Sequence, residues 1–175
     1  MPHDAPPAGL TIRAMRPEDW PAVRAVFEEG IAAGNATFET AAPAWEAWDT
    51  AHLAEPRLVA GDAAGLAGWA ALSPASRRAC YAGVAEVSVY VAARCRGRRV
   101  GTRLLAELVA AAEHRGIWTL QAVVFPENPA SVRLHEACGF RLVGRRERIA
   151  RLRGAWRDTL LLERRSPAVG TDTGP

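Results

Sequence analysis

The chain has 175 residues, with 22 basic and 19 acidic side chains and a net charge of +3, a size one domain ordinarily holds and one that needs no disulfide or metal to fold. Every basic residue is Arg and there is no Lys, which excludes a Walker lysine, a kinase-type lysine on a phosphate and Schiff-base chemistry. Cys80, Cys95 and Cys138 form no C-x-x-C pair and the four His show no ligand spacing, so neither a disulfide framework nor a metal site is expected, and a reducing, cytoplasmic location is.

In chain order, residues 1–9 are rich in Pro and Ala and read as a flexible tail. Leu10 to Met15 reads as a strand. Pro17 to Ala33 reads as a helix, opened by Pro, acidic at Glu18 and Asp19 in its first turn, and stopped by Gly34. Ala36 to Thr40 reads as extended, and Pro43 to Leu53 as a weaker helix. Arg57 to Ala63 and Leu66 to Leu72 form a hairpin pattern, and Ser73 to Gly83 a polar loop. Val84 to Val91 is a strand with Glu86 among apolar neighbours. Arg94 to Arg99 is a basic turn. Gly101 to His114 is a helix, because Leu104, Leu105, Leu108, Val109 and Ala112 share a face. Ile117 to Phe125 is a buried strand, and Pro129 to Cys138 a helix stopped by Gly139. Two last strands, Phe140 to Ala150 and Trp156 to Arg164, join through Arg153-Gly154, and a second flexible tail covers 167–175. Strands alternating with helices, then a hairpin, predict one α/β (α+β) domain over 10–166, with a single mixed sheet and helices on both faces. No signal peptide is expected, and Ala63 to Ser76, the longest uncharged stretch, is too short to span a membrane.

Charge is uneven. Residues 1–90 carry 6 Arg and 11 acids, a balance of −5, and residues 91–175 carry 16 Arg and 8 acids, a balance of +8. An anionic partner for the second half is one explanation and a solvated Arg-rich surface the other. The run from Val89 through Leu105 sharpens the choice. A strand, a basic turn with Gly97 and an amphipathic helix opening at Gly101 form a pyrophosphate cradle: turn and helix N–H groups point outward, the helix dipole adds positive charge, and Arg96, Arg98 and Arg99 add more. The alternative is an ordinary strand-to-helix turn with surface arginines.

Arg96-Gly97-Arg98-Arg99-Val100-Gly101 resembles the R-x-x-G-x-G/A acetyl-CoA motif of the GNAT acetyltransferases, and Asn128 through Leu134-His135 to Gly139-Phe140 resembles their second block. The closer resemblance, from Thr11 to Ser166, is to the phosphinothricin N-acetyltransferase (L-amino acid N-acetyltransferase) subfamily. It is carried by Gly34-Asn-Ala-Thr-Phe38-Glu39, Gly68-Trp69-Ala70, Tyr81, Glu86-Val-Ser88-Val-Tyr90-Val91, Phe125-Pro-Glu-Asn128 and Trp156-Arg-Asp158. One position departs: the motif usually has Gly where this chain has Arg99, which matters if that backbone needs φ > 0.

The resemblance implies acetyl-CoA as co-substrate, with Val89, Tyr90, Val91, Arg96, Gly97, Arg98, Arg99, Val100, Gly101, Thr102 and Asn128 around it. It implies Glu86 as base or amine-orienting group. An α-amino group is mostly protonated at neutral pH, so a base helps, and an apolar strand face would raise the carboxyl pKa toward useful values. The alternative is a carboxylate facing solvent at a sheet edge. His135 stands where most of the superfamily has Tyr. It is suited to act as base with Glu86 or as acid to the thiolate, or it is simply a core residue. Backbone N–H groups of Val89 to Val91 would hold the oxyanion and pair with the pantetheine. Asn128 is both a pantetheine contact and a helix N-cap. Cys138 reads as packing, not as an acyl carrier. Phe38, Arg77, Arg78, Tyr81 and Ser88 are the implied substrate contacts, the arginines suiting a carboxylate; Trp69 and Trp156 read as core or dimer contacts.

The leading expectation is therefore acetylation of a small amino acid or analogue, of phosphinothricin or methionine sulfone and sulfoximine type, by direct transfer in a ternary complex. A homodimer is implied, with no nucleic acid and no membrane partner. The alternatives are an acetyltransferase for a protein N-terminus or an aminoglycoside, and a catalytically silent protein binding CoA or nucleic acid through Arg141 to Arg157. The last lacks an aromatic stacking platform.

Overall fold

The computed structural model describes residues 9–172. Seven strands form one sheet in the order β1-β2-β3-β4-β5-β7-β6. The strands are β1 (Thr11–Ala14), β2 (Arg57–Asp62), β3 (Gly65–Pro74), β4 (Val84–Val91), β5 (Thr119–Val124), β6 (Arg141–Leu152) and β7 (Ala155–Arg165). Every neighbouring pair is antiparallel except β4 and β5. That parallel pair requires a crossover, which helix α3 (Val100–His114) supplies. The single mixed sheet with helices on both faces is the architecture predicted from the sequence.

Helices α1 (Trp20–Ala32), entered through a 3₁₀ turn at Pro17–Asp19, and α2 (Trp45–Ala51) cover one face. There Val23, Phe27 and Ile31 meet Val59, Trp69 and Ala71. Trp69 is 1% exposed and stacks on Tyr90 with ring centroids 4.7 Å apart. Helices α3 and α4 (Pro129–Ala137) cover the other face, where Leu104, Leu105 and Leu108 pack on Leu72, Leu120 and Leu162. The spacing that predicted α3 is the spacing of its buried residues.

Three local expectations differ. Ala36 to Thr40 is not extended: the chain bends there, with the Glu39 N–H donating to Thr37 Oγ1 at 3.0 Å. This local hydroxyl bond offers the backbone an alternative to a ladder. The loop after β3 begins only beyond Pro74 and contains a 3₁₀ turn at Ala79–Tyr81. Beyond β7, Ser166 Oγ accepts from the N–H groups of Ala168 and Val169, and the Arg165 guanidinium donates to the carbonyls of Val169 and Gly170. Residues 1–8 and 173–175, which belong to the two predicted tails, lie outside the described residues.

Candidate active site

The site begins with a divergence of two strands. β4 runs to Val91, yet it pairs with β5 only through Val84, Ala85 and Glu86, opposite Thr119, Leu120 and Gln121. Beyond Glu86 the strands separate and a cleft of about 600 Å³ opens, walled by β4, the start of α3 and α4. The Ala92 N–H donates to the Ala67 carbonyl of β3 at 2.9 Å. Alternation in an antiparallel ladder then turns the polar backbone groups of Tyr90 and Ser88 toward β3, and those of Val89 and Val91 toward the cleft. Of the predicted Val89–Val91 donors, two of three thus face a ligand in the gap.

The predicted basic turn and helix start adjoin this cleft. A 3₁₀ turn at Ala93–Cys95 leads to Gly97 (φ 73°) and to Arg99 (φ 55°, ψ 12°), the N-cap of α3. Arg99 therefore occupies the left-handed region that favours glycine. The first helical bond runs from the Arg103 N–H to the Arg99 carbonyl at 3.1 Å. The N–H groups of Val100, Gly101 and Thr102 precede it and have no intrahelical acceptor. With the helix dipole, such groups favour an anion. Gly101 has a different reason from Gly97. A Cβ there would overlap Leu134 Cδ1 of α4 and lie 3.2 Å from Val91 Cγ2, whereas at Gly97 it would touch nothing. Arg96 and Arg99 reach the cleft, and Arg96 Nε lies 3.5 Å from the Val91 carbonyl. Arg98 does not line it; its charge acts on Asp62, which Arg94 pairs at 2.9 Å. Consecutive arginines in a turn point different ways, and the sequence alone does not say which.

Asn128 fills its predicted role as the cap of α4 and lies on the cleft wall. Its Oδ1 accepts from the Ser131 N–H at 3.1 Å, capping α4, while its Nδ2 donates to the Asn35 carbonyl at 3.0 Å at the cleft mouth. His135 is 5% exposed. Its Nδ1 lies 2.8 Å from the Ser131 carbonyl; a carbonyl only accepts, so Nδ1 carries the hydrogen and Nε2 the lone pair. Nε2 is buried and has no partner among the described residues. Burial pushes the His135 pKa below its ordinary value, so the ring is neutral. Cys138 Sγ sits 3.6 Å from the Thr102 carbonyl, and burial pushes its thiol pKa up, away from a nucleophile's range.

Glu86 is half-buried and makes no hydrogen bond or ion pair among the described residues. Burial pushes its pKa up, partly offset by the Arg146 charge. It shares a strand face with Ser88 and Tyr90, the face of α1, because Tyr90 packs edge-on against Phe27 at 4.8 Å. His135 lies beneath α4 against Phe140, on the other face. The two residues flank the gap and are not a contacting dyad. The Tyr90 hydroxyl donates to the Ala36 carbonyl at 3.5 Å, and burial pushes its phenol pKa up to about 12.

The implied substrate contacts scatter more. Phe38 packs edge-on against Phe125 at 4.8 Å. Arg78 lies over the Tyr81 ring at 5.8 Å, and both, like Arg77, are exposed in the loop before β4. None of these four, nor Ser88 or Glu86, lines the cleft itself. One residue escaped the sequence reading. Arg157 of β7 donates to the Gly34 carbonyl at 3.3 Å, to Asn35 Oδ1 at 3.0 Å and to Glu127 at 3.1 Å, with its guanidinium 4.2 Å over Phe125. It latches the loop after α1 to the turn before α4. Its only signal was membership of the Trp156-Arg-Asp158 block, since partners more than a hundred positions apart leave no local pattern. Trp156, outside the core, is 53% exposed and is stacked by Arg151 at 4.4 Å.

A divergent strand pair with free backbone groups, leading into an anion-binding helix start, defines a protein that holds a phosphorylated, amide-bearing ligand in extended form. The match of residues 17–140 to the acetyltransferase (GNAT) family model identifies that ligand class, and the chain belongs to this family of N-acetyltransferases. It is 34% identical over 165 residues to a phosphinothricin N-acetyltransferase of Alcaligenes faecalis, covering 88% of this chain and 81% of that one. It is 31% identical over 161 residues to an L-methionine sulfoximine/L-methionine sulfone acetyltransferase of Pseudomonas paraeruginosa, covering 87% and 92%. Among solved structures, it is similar to a phosphinothricin acetyltransferase from Sinorhizobium meliloti in complex with acetyl-CoA, with a TM-score of 0.80 and 28% identity over 94% of this chain and 97% of that one. Acetyl-CoA is the co-substrate, and the groups lining the cleft fit it: Val89 and Val91 offer strand pairing to its amides, and the Val100–Thr102 N–H groups with Arg96 offer charge and donors to its phosphates. Among the described residues no group of three or more His, Cys, Asp and Glu is placed to hold a metal ion, and no helix is long and apolar enough to cross a membrane.

Proposed function

We propose that the protein acetylates the amino group of a small amino acid or analogue of the phosphinothricin or methionine sulfone and sulfoximine type, by direct transfer in a ternary complex. The observation that carries this reading is Glu86: an unpaired, half-buried carboxylate of raised pKa beside the point where β4 leaves β5. A carboxylate so placed accepts the ammonium proton and leaves the amine lone pair free to attack the thioester carbonyl. The N–H of Val89 or Val91 donates to the oxygen as the carbon becomes tetrahedral. The C–N bond forms, the C–S bond breaks, and the sulfur takes up the second proton shed by the attacking nitrogen. His135, neutral and with its hydrogen on Nδ1, offers Nε2 as an acceptor, so it orients the thiol product and is not a ready donor to the thiolate. Cys138, raised in pKa and bonded toward Thr102, is not equipped to carry the acyl group.

The arginines of the exposed loop before β4, Arg77 and Arg78, suit the acceptor carboxylate. The three free cysteines suit a reducing cytoplasm. Exposed Leu142, Val143, Ile149 and Trp156 on the β6–β7 hairpin suit a homodimer contact.

The test is thiol release from acetyl-CoA across a panel: phosphinothricin, methionine sulfone, methionine sulfoximine, the common amino acids, a peptide and an aminoglycoside. Turnover concentrated on free amino-acid analogues supports the reading. Turnover of the peptide or aminoglycoside alone, or of none, overturns it.

A further inference from the structure

Beyond the cleft, the α1 face of the sheet has a part that no helix covers. α1 packs on β3 and β4, and the aromatic cluster of α2 packs on β2 and β3. Gln121 and Val123 of β5 and Leu161 of β7 are left half-buried. Register puts these side chains on the face of Glu86: Glu86 pairs with Gln121, Gln121 with Glu163 and Val123 with Leu161, and cross-strand partners share a face. Thr159 follows two residues before Leu161, on the same side, and its partner on β6 is Arg146. One end of this floor is therefore an unpaired carboxylate and the other an arginine.

Arg146 is the half-buried arginine of β6; Arg148 and Arg151 also lack a carboxylate partner among the described residues but are exposed. Arg141, Arg145, Arg157 and Arg164 each pair with a carboxylate, of Glu163, Asp158, Glu127 and Glu113 respectively. Arg146 pairs with none among the described residues. Its Nε donates to Thr159 Oγ1 at 3.0 Å, and Thr159 is 1% exposed. A buried hydroxyl thus anchors the near nitrogen of a half-buried guanidinium and leaves the two-nitrogen fork open, the arrangement that suits paired oxygens of a tetrahedral or planar oxo group. β6 lies three strands from β4, about 14 Å at the ordinary spacing, and the Arg146–Thr159 pair sits four residues along β7 from Glu163, the residue in the row of Glu86, about 13 Å further along the strands. Two long side chains reaching inward across this diagonal leave room for a small molecule with its amine at one end.

We propose that Arg146 is a specificity residue for the acceptor, binding the phosphinyl or sulfonyl oxygens at the end remote from the amine, with Thr159 as the positioning residue that holds its guanidinium. This rests on the acetyltransferase reading above and adds to it the reason an oxygenated side chain would be preferred. The Arg146 charge is also felt at Glu86, in keeping with the shared face.

Methionine and methionine sulfone differ only in the two sulfonyl oxygens, so the ratio of their kcat/KM values isolates that end of the acceptor. For Arg146→Met the ratio of sulfone to methionine falls roughly tenfold or more, the worth of a charge-assisted hydrogen bond, while the KM for acetyl-CoA and the thermal midpoint hold. Arg146→Lys restores part of the ratio, because the charge returns without the fork. Thr159→Val lowers it less than Arg146→Met. An equal loss on both acceptors, or no change in the ratio, overturns the role of Arg146 and leaves the acetyltransferase reading standing. Failure of the wild-type enzyme to acetylate either acceptor, or any other free amino acid, overturns both.

Discussion

The two faces of the sheet around the gap are built on different principles. On the α3 and α4 face the core behind the cleft is filled: Leu104, Leu105, Leu108 and Leu162 are fully buried, Gly101 lets Leu134 close against α3, and the groups offered to the co-substrate are mostly backbone. On the α1 face the helices stop at β4, and the floor beyond carries half-buried side chains between Glu86 and Arg146. Backbone donors fixed by a packed core suit a co-substrate that never changes. Side chains on an uncovered floor suit an acceptor that does, because single substitutions there alter recognition without disturbing the core. On the proposed function, co-substrate affinity belongs to one face, and proton transfer and acceptor choice to the other.

The sharpest way to break that division is Glu86→Gln. It removes the proton acceptor and nothing from the cradle, so turnover falls on the order of 10²-fold while acetyl-CoA binding is kept. Burial raises the Glu86 pKa above the ordinary 4.5, and the base must be ionised. In the wild type, kcat/KM therefore rises with pH through a value above 4.5, and this limb disappears in the variant. Retained turnover, or an unchanged acid limb, would remove Glu86 from the chemistry.

Gly101→Val tests the opposite face. The new side chain must displace Leu134 and press on Val91. Overpacking of this kind costs about 1–3 kcal/mol, and because the shift falls on the cradle, the KM for acetyl-CoA rises by about tenfold. The acid limb set by Glu86 stays where it was. A variant that binds acetyl-CoA normally but loses the limb would mean that the two faces are coupled.

A smaller effect separates His135 from Glu86 by pH. Burial holds the folded-state His135 pKa below the ordinary 6.5. Between those two values the unfolded chain binds the proton and the folded chain does not, so stability rises with pH across the window and is lost as pH falls through it. His52, stacked on Trp48 and also lowered by burial, adds to the same slope. His135→Gln should make the urea midpoint less pH-dependent below 6.5, with His52 and, at lower pH, the carboxylates of lowered pKa such as Asp19 and Glu113 contributing to the slope that remains. Identical slopes in variant and wild type would place His135 in contact with solvent.

How much of this was legible beforehand divides along the same line. The strand β4, helix α3 and the turn between them were readable because their signals are local: leucines on one helical face, glycines in a basic turn, a carboxylate in an apolar strand. Divergence of β4 from β5 was not, since it depends on where two strands far apart in sequence stop pairing. Nor was the arrangement of Glu86 and His135 on opposite faces, or the departure of Arg98 toward Asp62. Bending at Ala36–Thr40 and the Arg157 latch share that cause: Asn35, Asn128 and Arg157 are joined by hydrogen bonds across the fold, and such partners are set by tertiary packing, not by propensity.

The smallest predicted effect concerns the residue where the sequence departs from the motif it resembles. Arg99 holds φ 55° and ψ 12° at the start of α3, so the left-handed backbone is present although the glycine is not. An L-residue in this region costs about 1–2 kcal/mol, partly offset by the greater chain entropy a glycine loses on folding. Arg99→Gly should therefore stabilise the fold by about 1 kcal/mol and raise the thermal midpoint by about 2–4 °C, with Arg99→Asn intermediate, because Asn tolerates the conformation better than Arg. The charge is removed in both, so the cradle loses part of its attraction for phosphate even as its backbone relaxes. The two variants thus raise the midpoint by different amounts and raise the KM for acetyl-CoA alike. If Arg99→Gly lowers the midpoint instead, the side chain of Arg99 contributes more to holding the turn than its backbone conformation costs.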